Sequence, residues 1–219
     1  MKRRFPGVRA IAVMLLLAGM GYFAGSPSQA ATFAVTPNDH AMGSPEAPVT
    51  VIEYGAPSCP VCAQFNTEVI SRLKTTYIET GKVRYVFRVW PLRPSDAAAE
   101  KIARCLPSSK YFSFLDMLFR NQPLWDEELG AHDPYKGLTQ LAHRFGLSAG
   151  RVNRCIGNTA QDADINRIAA HGEVKYHVNG TPTIVINGVA QPSGSLSWSA
   201  LKTLVEAALA GKQGKTAQP

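Results

Sequence analysis

Cysteine is scarce in this 219-residue chain: there are four, at positions 59, 62, 105 and 155. Histidine is nearly as rare, with five, and neither His171 and His177 nor His132 and His143 have the spacing of metal ligands. Internal repeats are lacking, which excludes solenoids and propellers. The one extended apolar run, Ala10 to about Gly25, is shorter than the ~20 residues a membrane span needs. Charged residues make up only 18% and apolar residues 45%, which excludes a disordered chain. The length suffices for one well-packed domain with an insertion.

What stands at the start is an export pattern. Lys2, Arg3, Arg4 and Arg9 precede the apolar run, and Ser28-Gln29-Ala30 offers a small-residue cleavage site. Residues 1–30 are therefore expected to be a secretory signal peptide, cleaved near Ala30 and directing the chain to the periplasm. An uncleaved anchor is the rival reading. No cysteine closely follows the run, which argues against a lipid anchor. Without those four basic residues, 19 basic and 16 acidic residues remain, so the net charge falls from +7 to +3. That balance carries no nucleic-acid footprint.

The order of periodic segments predicts the architecture. A short strand is expected near Thr32 to Val35, and Val49 to Tyr54 reads as a buried strand. Pro60 suits the first turn of a helix with Val61, Phe65, Val69 and Leu73 on its apolar face, ended by Gly81. Val83 to Val89 is a second buried strand. From Ser95, read as a helix cap, to about Gly172 every periodic segment is helical, and Ser148 caps one of these helices. Thr183 to Ile186, the turn Asn187-Gly188, and Val189-Ala190 form a hairpin. A helix from about Ser197 to Ala210 follows, and 211–219 reads as a flexible polar tail. The fold class is thus α/β, a core of residues 31–94 and 173–210 interrupted by an all-helical insertion at 95–172. The strand–helix–strand start predicts a parallel crossover.

The chemistry lies in Cys59-Pro60-Val61-Cys62. Cys59 falls at a helix N-cap, where free backbone N–H groups and the helix dipole favour an anion. A thiolate is the attacking species in disulfide exchange, so Cys59 is expected to attack and Cys62, one turn inside, to resolve. A stabilised thiolate makes the disulfide a better oxidant. Pro60 and Val61 add no charge or donor, so a moderate oxidant is expected. Glu53, six residues earlier in a buried strand, either exchanges a proton with Cys62 or points outward at the strand end. Half of a Cys₄ zinc site is a rival reading of the pair, but Pro60 and the isolated Cys105 and Cys155 argue against it. A purely structural Cys59–Cys62 bond would close too small a loop to stabilise much.

With Gly180-Thr181-Pro182-Thr183 ahead of the hairpin, the chain resembles the DsbA-like thiol:disulfide interchange proteins of the thioredoxin superfamily, over nearly all of residues 46–210. The resemblance rests on the Cys-Pro-Val-Cys run after a strand, Glu53 at its offset, the helical insertion and Thr181-Pro182. It implies a thioredoxin-like fold, a cis Pro182 facing the cysteines, and Thr181 backbone groups offered to an extended substrate, with Pro60 and Val61 bordering that surface. It also implies that Glu53 assists proton transfer, and that a quinone-linked membrane oxidase of the DsbB type reoxidises the pair. Reduced exported proteins are the implied substrates, with no metal or organic cofactor. Ser58 replaces the tryptophan of thioredoxins, which argues against a cytosolic reductase, and the Pro-Val dipeptide departs from the Pro-His of the strongest oxidants. A disulfide isomerase or reductase, and a non-enzymatic chaperone or metal-binding module, are the alternative functions. An isomerase usually carries an N-terminal dimerisation domain, for which the 28 residues between Ala30 and Cys59 leave no room. Cys105 and Cys155, on apolar faces of two helices, are read as a structural disulfide, with two buried free thiols as the alternative.

Overall fold

A computed structural model describes residues 35–194 and 196–216, with side chains up to Gly211. The expected signal peptide lies outside the described residues, as does the strand expected near Thr32, apart from Val35, which is not in a strand. The first described strand is instead β1 (His40–Met42), half-buried and paired only with β3 (Val83–Val89). Between them lie β2 (Val49–Gly55) and α1, a continuous helical run over 60–78. β2 and β3 run parallel, and the sheet is completed antiparallel by β4 (Thr183–Ile186) and β5 (Val189–Ala190), in the order β1-β3-β2-β4-β5.

Two-residue alternation divides the sheet into two apolar faces. Val49, Val51, Tyr85, Phe87, Ile184 and Ile186 belong to the larger core, with Phe65 and Leu73 of α1. Ile52, Tyr54, Val86 and Val185 form the opposite core. Glu53 follows Val51 by two residues, so its carboxylate is placed on the larger face, beneath α1.

Pro60 occupies the first turn of α1, where it forfeits no hydrogen bond. The buried stripe is Cys62, Phe65, Val69, Leu73 and Tyr77. Val61, expected on that stripe, is 41% exposed. The first turn of α1 is ordinary α-helix, but Ser71 N–H reaches back five residues to Asn66 O, and Glu79 N–H to Lys74 O. These wider turns keep the four-residue spacing of Phe65, Val69 and Leu73 in phase, whereas Val61 rotates out to the surface. Gly81, at φ +72°, supplies the left-handed residue that follows the helix.

Between β3 and β4 the chain is helical: α2 (Pro94–Arg104), α3 (Ser108–Arg120), α4 (Pro134–His143), α5 (Ala149–Ile156) and α6 (Thr159–Tyr176). Arg93, not Ser95, is the N-cap of α2; Ser95 Oγ donates instead to Glu127 Oε2 at 3.3 Å. Ser148 Oγ caps α5 by accepting from Arg151 N–H. Single 3₁₀ turns at Gln122–Leu124 and Glu127–Leu129 join α3 to α4. α4 packs so closely on the first of these that a Cβ on Gly137 would stand 2.0 Å from Leu124 O. Only glycine fits there, and the same turn carries Gln122, whose side chain bonds to the cysteine loop.

Cys105, at the end of α2, is bonded to Cys155 in α5, with Cα atoms 6.1 Å apart and a sequence separation of 50. On a chain-entropy estimate a loop of that length contributes about 4 kcal/mol. Ion pairs tie α2 to α6: Arg104, paired with Glu100 on its own helix, reaches Asp164, and Lys101 reaches Asp162. The hairpin turn uses Asn187 and Gly188 at φ +45° and +83°, as a two-residue turn of this hand requires. The closing helix, α7 (Trp198–Thr216), buries Leu201 and Val205 and continues past Ala210.

Candidate active site

Cys59 is the N-cap of α1, with extended backbone angles of φ −70° and ψ 119°. Its sulfur accepts from Cys62 N–H at 3.3 Å and lies 3.5 Å from Thr181 O. The Cys59 thiol is pulled down to about 6, chiefly by the hydrogen bond from the Cys62 thiol, against the opposing effect of burial. Thr181 and the N–H groups of Val61 and Cys62 lower it further. Cys62 has no exposed surface, and burial pushes its thiol well up, helped by the neighbouring Cys59 and Glu53. One sulfur is therefore held as an anion at neutral pH and the other as a thiol. Both are free in this structure.

Glu53 is buried, and burial raises its carboxyl to about 8, with the Cys59 charge adding to the rise. Tyr85 Oη opposes this by donating to Glu53 Oε2 at 2.6 Å, while Oε1 has no hydrogen-bond partner. A Cβ on Gly55 would stand 2.8 Å from that free Oε1 and 2.7 Å from Phe87, so the carboxylate occupies space that only glycine leaves open. The outward-pointing alternative for Glu53 is thereby ruled out.

The Thr181–Pro182 bond is cis. Its loop is tied down by Thr183 Oγ1 donating to Gly180 O at 2.7 Å and by Gly194 N–H donating to Pro182 O at 2.9 Å. Pro60 and Val61 are exposed beside Cys59, so the structure brings the predicted residues Glu53, Cys59, Pro60, Val61, Cys62 and Thr181 to one end of the sheet and α1. Cys105 and Cys155 are bonded to each other, which removes the two further thiolates a Cys₄ zinc site would need. Among the described residues no group of three or more His, Cys, Asp or Glu is placed to hold a metal. His177 caps α6 in the left-handed region at φ +54° and is exposed.

Three supporting residues were not singled out from sequence. Asp96, wholly buried, accepts from Ser58 N–H at 2.7 Å, Ser58 Oγ at 2.9 Å, Leu92 N–H at 3.0 Å and Arg93 N–H at 3.1 Å. Burial raises its carboxyl despite these donors. Gln122 Nε2 donates to Pro57 O at 2.8 Å and to Cys59 O at 3.0 Å. Tyr85 is the third. Ser58, which stands where thioredoxins have tryptophan, is thus the anchor by which α2 grips the cysteine loop. Asp96 at the third position of a helix was the one visible signal, since an acidic residue there commonly bonds back to the cap.

A thiolate at a helix start, a buried thiol beneath it, a buried carboxyl and a cis-proline loop are set on a sheet of two parallel and three antiparallel-paired strands. The family model described as Thioredoxin matches residues 35–207 of this chain. The chain belongs to the thioredoxin family. Within it, the fold is DsbA-like: the crystal structure of Wolbachia pipientis alpha-DsbA1 superposes with a TM-score of 0.77 at 24% identity, covering 85% of this chain and 98% of that one. A Rickettsia conorii protein provisionally named protein-disulfide oxidoreductase is 29% identical over 186 residues, covering 84% of this chain and 65% of the relative. The Bacillus subtilis protein named disulfide bond formation protein D is 26% identical over 182 residues, covering 78% of this chain and 77% of its own length. The chain spans just under two thirds of the Rickettsia relatives it matches. As a thioredoxin-family chain it places its helical insertion between β3 and β4, against the cysteine loop.

Proposed function

We propose that this chain is a protein thiol:disulfide oxidoreductase that introduces disulfides into reduced exported proteins. The observation that carries the reading is the Cys59 sulfur, held by Cys62 N–H at the start of α1 and lowered to about 6 while Cys62 is raised. A substrate thiolate attacks Cys59 Sγ of the oxidised pair. The Cys59–Cys62 bond breaks, a mixed disulfide forms, and the Cys62 sulfur leaves with the electron pair. Being buried, it takes a proton, and Glu53, neutral at pH 7 with its carboxyl at about 8, supplies one. The second substrate thiolate then attacks the substrate sulfur of the mixed disulfide. Cys59 leaves as a thiolate that needs no proton, and the substrate departs oxidised.

Cysteines activated in this way span about 3.5–7.5, so a thiol at about 6 supports an oxidant of intermediate strength. Thr181 O beside Cys59, with Pro60 and Val61 exposed, supports docking of an extended substrate segment across the pair. Reoxidation is assigned to a quinone-linked membrane oxidase, and export to the basic and apolar pattern of residues 1–30. No helix among the described residues is long and apolar enough to cross a membrane.

The test incubates the oxidised protein with a peptide bearing two reduced cysteines. Stoichiometric loss of peptide thiols, abolished in Cys59→Ser, is the expected result; undiminished loss with Cys59→Ser overturns the reading. Equilibration with glutathione then separates an oxidase from a reductase: a potential near that of thioredoxin, about −270 mV, would assign the chain to reduction instead.

A further inference from the structure

We propose that Tyr85 is a positioning residue for proton exchange at Cys62, holding one oxygen of Glu53 while its other oxygen stays free to take the proton. This rests on the thiol:disulfide reading above and deepens it.

The geometry is specific. Tyr85 lies on β3, one strand from Glu53, and both face the larger core. Its hydroxyl donates to Oε2 at 2.6 Å, the one hydrogen bond the Glu53 side chain receives among the described residues, and Oε1 is buried without a partner among them. A Cβ on Gly55 would stand 2.8 Å from the free oxygen and 2.7 Å from Phe87, so that oxygen sits in space that residue 55 leaves open by being glycine. The charged and titratable groups acting on Glu53 are few. Cys59 and Cys62 face it from α1, and Tyr85 from β3. Across from it β4 contributes Ile184, which is apolar. From α3, Tyr111 acts on Tyr85, but its hydroxyl is committed to Glu100. A hydrogen bond from Tyr85 favours the carboxylate over the acid, against burial, which favours the acid. Without it Glu53 would be a buried acid with no donor at all, and its ionisation would move to higher pH.

The consequence appears in reoxidation. When Cys59 carries a mixed disulfide, Cys62–SH must lose its proton to attack Cys59 Sγ. Ionised Glu53 takes that proton, the Cys59–Cys62 bond forms, and the outgoing thiolate leaves with the electron pair of the broken bond. The rate therefore follows the ionised fraction of Glu53, rising through a pH below about 8, because Cys59 in a mixed disulfide no longer carries the charge that adds to the rise.

The experiment uses the reduced full chain and oxidised glutathione, following the decay of the Cys59–glutathione mixed disulfide by acid quench between pH 6 and 10. In the unmodified protein the rate is expected to rise with an inflection below about pH 8, and to lose that inflection in Glu53→Gln. In Tyr85→Phe the inflection should move up by about one to two units, with a loss at pH 7 of about ten- to a hundredfold. The Cys59 titration near 6 should stay put, and adding Tyr85→Phe to Glu53→Gln should change nothing further. A structural role alone would not move the inflection while sparing Cys59. An inflection in the unmodified protein that Tyr85→Phe leaves in place overturns the role of Tyr85. No Glu53-dependent inflection in the unmodified protein overturns the role of Glu53 itself. Should Tyr85→Phe not fold, infrared difference spectra between the unmodified protein and Glu53→Gln decide: a carboxyl band at the low frequency of a hydrogen-bonded acid supports the role, and one at the frequency of a free acid overturns it.

Discussion

The side-chain amide of Gln122 donates to the carbonyl oxygen of Cys59 at 3.0 Å, and the same nitrogen donates to Pro57 O at 2.8 Å. A residue of the helical insertion thus holds the loop that carries the attacking sulfur. Gln122→Ala takes from Pro57 O its side-chain donor in a buried site, while Cys59 O keeps Ala63 N–H, so a loss of about 1–3 kcal/mol is expected. Urea unfolding of the reduced protein measures it. A change below about 0.5 kcal/mol would show that water replaces the amide.

The thiol of Cys62 is the largest influence lowering Cys59. In Cys62→Ala that donor is lost, and Cys59 should titrate about one to two units above its value near 6. Thiolate absorbance of the variant reports this directly, and an unshifted titration would assign the whole effect to the backbone amides.

Gly55→Ala drives a methyl group to within 2.8 Å of Glu53 Oε1 and 2.7 Å of Phe87. Overpacking of this kind costs about 1–3 kcal/mol. Because Glu53 must also move, proton exchange at Cys62 should slow in the same variant. Thermal unfolding and mixed-disulfide decay are the paired measurements.

Stability should depend on pH differently in the two redox states, because Glu53 and Cys59, with opposite shifts, both titrate in the reduced form and Glu53 alone of the two in the oxidised form. Burial raises Glu53 from an ordinary 4.5 to about 8, so its contribution is fully present below about pH 4.5 and is lost as pH rises through 8. Cys59 is lowered from 9.0 to about 6, so its contribution is present above about pH 9 and is lost as pH falls through 6. The oxidised protein has no Cys59 thiol to titrate. Between pH 6 and 9 the reduced form should therefore gain stability relative to the oxidised form. Denaturant midpoints of both forms across that window check the sign, and the Cys59 contribution should be absent from the pH profile of Cys59→Ser, which has no Cys59 thiol to titrate.

Loss of the Cys105–Cys155 bond in the double alanine variant should cost about 2–4 kcal/mol in unfolding free energy. Cys59, on a different loop, should still titrate near 6. A shift there would mean that the bond also shapes the site.

The parts of the fold that sequence made legible were those where a local pattern and the tertiary structure agree. Val49 to Tyr54, Val83 to Val89 and the Asn187-Gly188 hairpin carry period-two or turn signals that the sheet merely completes. β1 was missed because His-Ala-Met has no β-branched residue and no alternation; its place comes from pairing with β3. Val61 was misplaced because a strict four-residue spacing assumes a uniform helix, whereas wider turns begin only after Phe65. At the site, Cys59 and Cys62 are close in sequence and their chemistry follows from the helix start. Tyr85, Asp96 and Gln122 act across 32, 38 and 63 residues of chain, distances at which residue type alone carries no signal.

Titration of the thiolate absorbance of the reduced protein tests most directly whether Cys59 is the anionic sulfur on which electron transfer depends. A transition near pH 6, absent from Cys59→Ser, is the expected result. A Cys59 that titrates at the free-thiol value of about 8.5 would contradict it.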